Sequence, residues 1–385
     1  MFGTSTSSNC PTLAERTANS RAHLGMYIAM CILASILACA LCLPGTAHAI
    51  KTVNQKEYAF QSCGKSLVFV NNKSYGKYIV KNYDRYPANQ YTANEHGTLK
   101  GNTVASLRTF IFLPMSYQKS GDMGNPQSLN ITPDGHYAYI AYPKSKTSEV
   151  GRIVRYDLDK IRELGLDSGN MNEFVYAVRH STMKGELTDR DREILSCITF
   201  GPWCKIGHGN TMSYNPKDGK LWFLGKTGVS KTSLQRINMD TLKPDLKINF
   251  DMGNGRCVNN NLTFDQKGRF YFYSYNGNSI RIYQGTIKNN KKVSITDLPQ
   301  GIKNSPTPHK IQTMGYNPQS NRLYMVSDSV VISVPVAKLG KLKPADVHTT
   351  IFNCKREFEG IAFDAEGNGH ILVNKQVELM AATGL

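Results

Sequence analysis

Tryptophan is scarce in this chain, with 2 copies in 385 residues, and acidic residues number only 29 against 46 Lys plus Arg. The familiar catalytic signatures are missing too. There is no GxSxG elbow, no HExxH pair, no GxxxxGK[ST] phosphate loop and no DxDxDG calcium loop. No compact pair of acids suggests a glycosidase. Beyond residue 49 five cysteines remain, Cys63, Cys197, Cys204, Cys257 and Cys354, and no CxxC pair occurs among them. An odd number without such pairs fits neither a zinc site nor a dense disulfide framework. Basic residues come as singles and pairs, such as Lys291-Lys292 and Lys355-Arg356, with no basic arm or helix. Nucleic-acid binding is therefore not expected. Wholesale disorder is excluded by a 40% hydrophobic and 10% aromatic content. What remains is a net charge of +17, which points to anionic partners in general.

The one long apolar run is Met26 to Leu43, preceded by Arg16 and Arg21 and followed by Pro44-Gly45-Thr46-Ala47-His48-Ala49. Small residues at Ala47 and Ala49 suit signal peptidase, so residues 1–49 read as a signal peptide cut before Ile50. The alternative is an uncleaved anchor, because the run is long enough to span a bilayer. Without residues 1–49, which hold two Arg and Glu15, 44 basic residues face 28 acidic ones, a net of +16. The expected mature chain, 50–385, is exported and basic.

A repeat organises that mature chain. SLNITPDGHYAYIAY from Ser128, TMSYNPKDGKLWFLG from Thr211 and NLTFDQKGRFYFYSY from Asn261 align with TMGYNPQSNRLYMVS from Thr313 and GIAFDAEGNGHILVN from Gly360. Each reads as a short strand, an Asn/Asp-Pro-type turn and an aromatic-rich strand. Third strands follow at 152–158, 234–239, 279–284 and 330–336. The starts lie 83, 50, 52 and 47 residues apart, and about fifty residues is the size of one propeller blade. The first interval carries a helical insertion around 159–195, with helices at 159–166 and 186–195 and Thr188 as a cap. Upstream strands at 66–71, 77–83 and 108–113 either form a further blade or complete the last one. The expected fold is all-β, a single propeller of five or six blades, with six favoured over five.

Just before each repeat stand Gln127, Asn210, Asn260, Gln312 and Glu359, all with side-chain oxygens. Inner strands of a propeller line its channel, so these five are expected to meet as a ring at one mouth. They either hydrogen-bond one another to plug a polar channel or hold a cation such as Ca²⁺ through Glu359, Asn210 and Asn260. His208, in Gly207-His208-Gly209-Asn210, joins the same mouth, as a loop hydrogen-bonder or a base. No catalytic residue and no cofactor is assigned, Ca²⁺ being the alternative. Trp222 follows the strand pattern and is expected in the core. Trp203 is either packed or free to stack on a sugar ring or a membrane interface. Cys197 and Cys204 either close a small disulfide loop or stay as free thiols.

Pro126 to Gly135, Arg152 to Leu158, Gly207 to Asn210, Met314 to Pro318 and Glu357 to Gly360 give the repeats a particular texture. In it the chain resembles, over roughly residues 120–375, the secreted propeller proteins of lactobacilli that are similar to the helveticin J type of large bacteriocin. The resemblance implies a secreted antibacterial or surface-acting protein of a Gram-positive organism. The N-terminal region ahead of the apolar run departs from that pattern. The expected function is binding to an anionic cell-wall polymer or membrane surface, as a monomer. The last residues, Ala-Ala-Thr-Gly-Leu, carry no LPxTG-like sorting signal, so wall attachment is expected to be noncovalent. An extracellular metal-dependent hydrolase or lactonase is one alternative, and a glycan or host adhesion module another.

Overall fold

The fifth residue of each repeat decides where the first strand stops. The carbonyl or carboxylate oxygens of Asn215, Asp265, Asn317 and Asp364 accept the backbone N–H two residues on, at 3.1, 3.0, 2.9 and 3.0 Å. Such Asx turns mimic a backbone turn, and at Asn215, Asp265 and Asp364 the backbone carbonyl also accepts from Gly219, Gly268 and Gly367. In the first repeat Thr132 and Asp134 share this task, accepting from Tyr137 and His136. All five turn residues at that position are buried.

The computed structural model describes residues 93–113, 124–144, 148–167, 171–182, 186–210, 212–253, 257–259, 261–276, 279–303, 312–354, 356–374 and 377–385, together with 51–52 and 61–62. The expected signal peptide and the strands expected at 66–71 and 77–83 lie outside the described residues. Among the described residues no helix is long and apolar enough to cross a membrane.

The structure is mostly β. Unit 1 contains strands Gln127–Ile131, Tyr137–Pro143, Val150–Asp157 and Ile198–Phe200. Unit 2 contains Ser213–Asn215, Lys220–Leu224, Lys231–Asn238 and Lys243–Asp251. Unit 3 contains Thr263–Phe264, Arg269–Asn276, Ser279–Asn289 and Lys292–Lys303. Unit 4 runs Thr313–Asn317, Arg322–Ser327, Val330–Pro335 and His348–Phe352. Unit 5 has Glu357–Phe363, Gly369–Asn374 and Glu378–Thr383, and takes its fourth strand, Ser106–Phe112, from far upstream. That strand, expected near 108–113, therefore completes the last unit. Its hairpin partner Glu95–Gly101 pairs with His348–Phe352 and joins units 4 and 5 into one nine-stranded sheet.

First strands touch in cyclic order, unit 1 to 2 to 3 to 4 to 5 and back to 1. Five core clusters lie between successive units and follow the same order. The Asn130 side chain ties units 1 and 2, donating to Met212 O (3.1 Å) and accepting from Tyr214 N (2.8 Å). Units 5 and 1 approach so closely that a Cβ on Gly360 would lie 2.7 Å from Leu129 N. Trp222 is in the core between units 2 and 3, its indole N–H donating to Asp218. The insertion in unit 1 holds three helices, α1 (Leu158–Glu163), α2 (Asn172–Thr182) and α3 (Asp189–Leu195). Thr188 caps α3 in a reciprocal box with Asp191, as the sequence suggests. The sequence reading misses α2, whose Phe174, Ala177 and Val178 face the core at helical spacing.

Chain closure centres on Glu378, whose side chain is fully buried. It accepts Thr109 Oγ1 at 2.6 Å and Asn94 Nδ2 at 3.1 and 3.2 Å, and pairs with buried Arg356. Removing one partner of such a pair leaves an uncompensated buried charge. Glu378→Ala should therefore cost about 3–5 kcal/mol in urea unfolding. Gly360→Ala should cost about 1–3 kcal/mol through overpacking. Gly97→Ala, whose Cβ would meet nothing within 4 Å, should leave the midpoint nearly unchanged.

Candidate functional site

At the end of the ring where the first strands begin, the structure brings together most of the residues singled out by the repeat. Gln127 opens the first strand of unit 1, Gln312 immediately precedes that of unit 4, and Asn210 sits on the loop leading into unit 2. This loop is fastened across the mouth. Gly209 O accepts Ser128 Oγ of unit 1 (2.6 Å), and Asn210 O accepts Thr313 Oγ1 of unit 4 (3.2 Å). Glu359 lies within its strand, as the third residue of Glu357–Phe363. Phe358 pairs with Val373 and Gly360 with Leu372, so Glu359 is the extra residue of a bulge. Bulges of this kind re-aim a side chain, here toward the mouth.

Three amides surround its carboxylate. Asn374 Nδ2 donates to Oε1 at 3.2 Å, Asn210 Nδ2 approaches Oε2 at 3.4 Å, and Gln127 stands alongside. Gln312 Nε2 instead meets Glu357 Oε1 at 3.4 Å. Burial, reinforced by the charges of Glu357 and Asp328, pushes the Glu359 carboxyl up to about 8, against the opposing amide hydrogen bonds. The group can thus hold or release a proton near neutral pH. Asn210 Oδ1 is buried without a hydrogen-bond partner. His208 is exposed on the same loop. Asn260 lies outside the described residues. Among the described residues no cluster of three or more His, Cys, Asp or Glu is placed to hold a metal ion.

The opposite end of the ring holds a cavity of about 90 Å³, which the sequence reading misses. Every unit contributes to its wall, including Ile131, Tyr214, Phe264, Tyr316 and Phe363. These five occupy the fourth position of the five repeats, an apolar or aromatic column visible in the alignment. A third feature lies on the edge of unit 1. The Arg152 guanidinium rests between Phe200 and Trp203 at 5.0 and 4.6 Å, with Lys144 at 6.0 Å from Trp203. Trp203 is accordingly half-buried.

The disulfide considered between Cys197 and Cys204 does not form, since both thiols are free. Asp157 N donates to Cys197 O, while Cys204 is paired with Gly151 on the same strand. Six strand positions separate the two, about 20 Å, whereas a disulfide needs Cα atoms within about 7 Å.

A carboxyl with a raised folded value binds its proton more tightly in the folded protein than in the unfolded chain. Its contribution to stability is present at low pH and is lost as pH rises from the ordinary carboxylate range toward 8. Glu359→Gln should remove that loss. In buffer with a chelator, the melting temperature of the variant minus that of the wild type should grow steadily from pH 5 to pH 8. A constant difference would contradict the assignment.

No family model matches the chain, and no curated protein matches it. Among solved structures it is similar to a functionally unknown protein from Desulfotomaculum acetoxidans DSM 771, at 15% identity and a TM-score of 0.33. That match covers 71% of this chain and 77% of the other. It is also similar to a luciferin-regenerating enzyme, at 10% identity and a TM-score of 0.34, covering 66% of this chain and 70% of that one.

Proposed function

We propose that the mature chain is a secreted five-bladed β-propeller that binds anionic polymers of the Gram-positive cell envelope through its second and third units. The supporting observation is where the charge lies. Residues 211–303 hold 15 Lys plus Arg against six Asp, a net of +9, more than half of the +16 carried by 50–385. Residues 124–210, by contrast, hold 11 of each sign and are neutral.

Arginines and lysines are also used differently. Arg236, Arg269 and Arg281 of units 2 and 3 are engaged by Asp245, Asp265 and Asp297. Lys226, Lys231, Lys243, Lys247, Lys267, Lys288, Lys291 and Lys292 are exposed, and none of them has an ion-pair partner among the described residues. Solvated, flexible ammonium groups suit a polymer with many phosphates or carboxylates and no fixed geometry. The five blades are the five four-stranded units, closed into a ring by the upstream strand at Ser106–Phe112. Closure of this kind leaves few exposed sheet edges. The polar mouth is a poor place for a polyanion, because Glu357, Glu359 and Asp328 all bear on it.

The exported chain, mixed with Gram-positive indicator cells, should pellet with them at low salt and be released as salt is raised. Changing Lys243, Lys247, Lys288 and Lys292 together to Glu should weaken pelleting by roughly tenfold or more at low salt. Changing Lys100 and Lys341 to Glu should have much less effect. Binding indifferent to salt, or unaltered by the four-site variant, would remove the proposal. Counting survivors in the same tubes tests the bacteriocin-like activity that the family resemblance implies.

A further inference from the structure

Two carboxylates are deeply buried in unit 5, and they are treated differently. Glu378 has an arginine in contact. Glu359 has none among the described residues: the side chains that act on it most are Glu357, Asn374, Asp328 and Gln127, with Asn210 at 3.4 Å, and none of these is basic. A buried carboxylate without a cation is costly, and proteins meet that cost with a bound proton, a paired base or a bound metal. The second observation is independent of the acids. Asn210 is 1% exposed, and its Oδ1 lacks any hydrogen-bond partner although its amide stands at the carboxylate.

We infer that this mouth is a site for a hard divalent cation, Ca²⁺, held by Glu359 together with the side-chain oxygens of Asn210 and Gln127. Both amides donate to the carboxylate as they stand, and the orientation of an Asn or Gln amide is exchangeable by a half-turn, which presents its oxygen in place of its nitrogen. The 3.4 Å separation is long for a charge-assisted hydrogen bond. It fits two ligand oxygens on one ion, which lie roughly 3.4 Å apart at about 2.4 Å from Ca²⁺ and near a right angle. Glu357 and Asp328 add attraction from outside the ligand set. The remaining positions go to water, reached from the side of exposed His208. Mg²⁺ is disfavoured, because it demands shorter distances and a stricter octahedron than large amide side chains fixed on separate strands supply. Only one ligand is charged, so the affinity belongs to the weak, extracellular range.

The site is separate from the lysines of units 2 and 3, so polymer binding and cation binding can fail independently. The test is calorimetric titration of the purified, chelator-treated chain with CaCl₂, alongside thermal unfolding with CaCl₂ or MgCl₂. One Ca²⁺ per chain with a Kd of about 0.1–1 mM is expected, with a rise in melting temperature and a weaker response to Mg²⁺. Glu359→Gln should remain folded and lose both the heat and the rise. Asn210→Ala should weaken binding roughly tenfold. Absence of Ca²⁺ binding by the wild-type chain up to about 10 mM, or equal binding by Glu359→Gln, overturns the inference.

Discussion

Ring closure is the constraint on which the rest of this structure depends. A four-stranded meander has two faces, and each unit here buries both by packing on a neighbour to either side. An open row of such units would leave two apolar faces in water, at about 25 cal/mol per Å² of exposed apolar surface. The row avoids this because unit 5 packs on unit 1, and because unit 5 is completed by a strand from before unit 1. The buried carboxylate of Glu378 holds that junction. It collects Thr109 and Asn94 from the upstream hairpin and Arg356 from the connection between units 4 and 5.

Closure also creates two unlike ends on one axis. Each first strand enters the ring near a polar or acidic side chain and leaves it through an Asx turn behind an apolar or aromatic residue. One end therefore gathers Gln127, Asn210 and Glu359, and the other gathers Tyr214, Phe264, Tyr316 and Phe363. Neither set is contiguous in the chain. A periodic sequence becomes a radial site simply because equivalent positions of successive units converge on the axis.

The charges divide according to chemistry. Most recorded ion pairs of the described residues use arginine, whose planar fork holds a carboxylate in fixed geometry. Lysine forms one, Lys338 with Asp346. The excess positive charge is therefore carried at the tips of flexible, hydrated lysines, and it is concentrated on two adjacent units. Seen along the sequence, the same lysines look scattered. Folding gathers them because units 2 and 3 share a core and stand side by side.

The repeats, their Asx turns, their third strands, the cap of α3 and the core position of Trp222 were legible in the sequence, because each rests on local chemistry within a few residues. So was the meeting of Gln127, Asn210 and Glu359 at one mouth, since a regular period carries equivalent positions to equivalent places. Other features follow from contacts between residues hundreds of positions apart. Ser106–Phe112 was readable as a strand, but only pairing with Glu378–Thr383 showed that it completes the last unit. Cys197 and Cys204 are close in sequence, yet the strand they both border holds them apart. The bulge that turns Glu359 inward, the amides gathered on its carboxylate and the buried oxygen of Asn210 likewise have no local signature. Sequence determined the parts and their period, because strands and turns are set by near neighbours. Tertiary structure alone decided which strand closes the ring and which buried carboxylate meets an arginine and which meets amides, because those depend on what the far ends of the chain bring into contact.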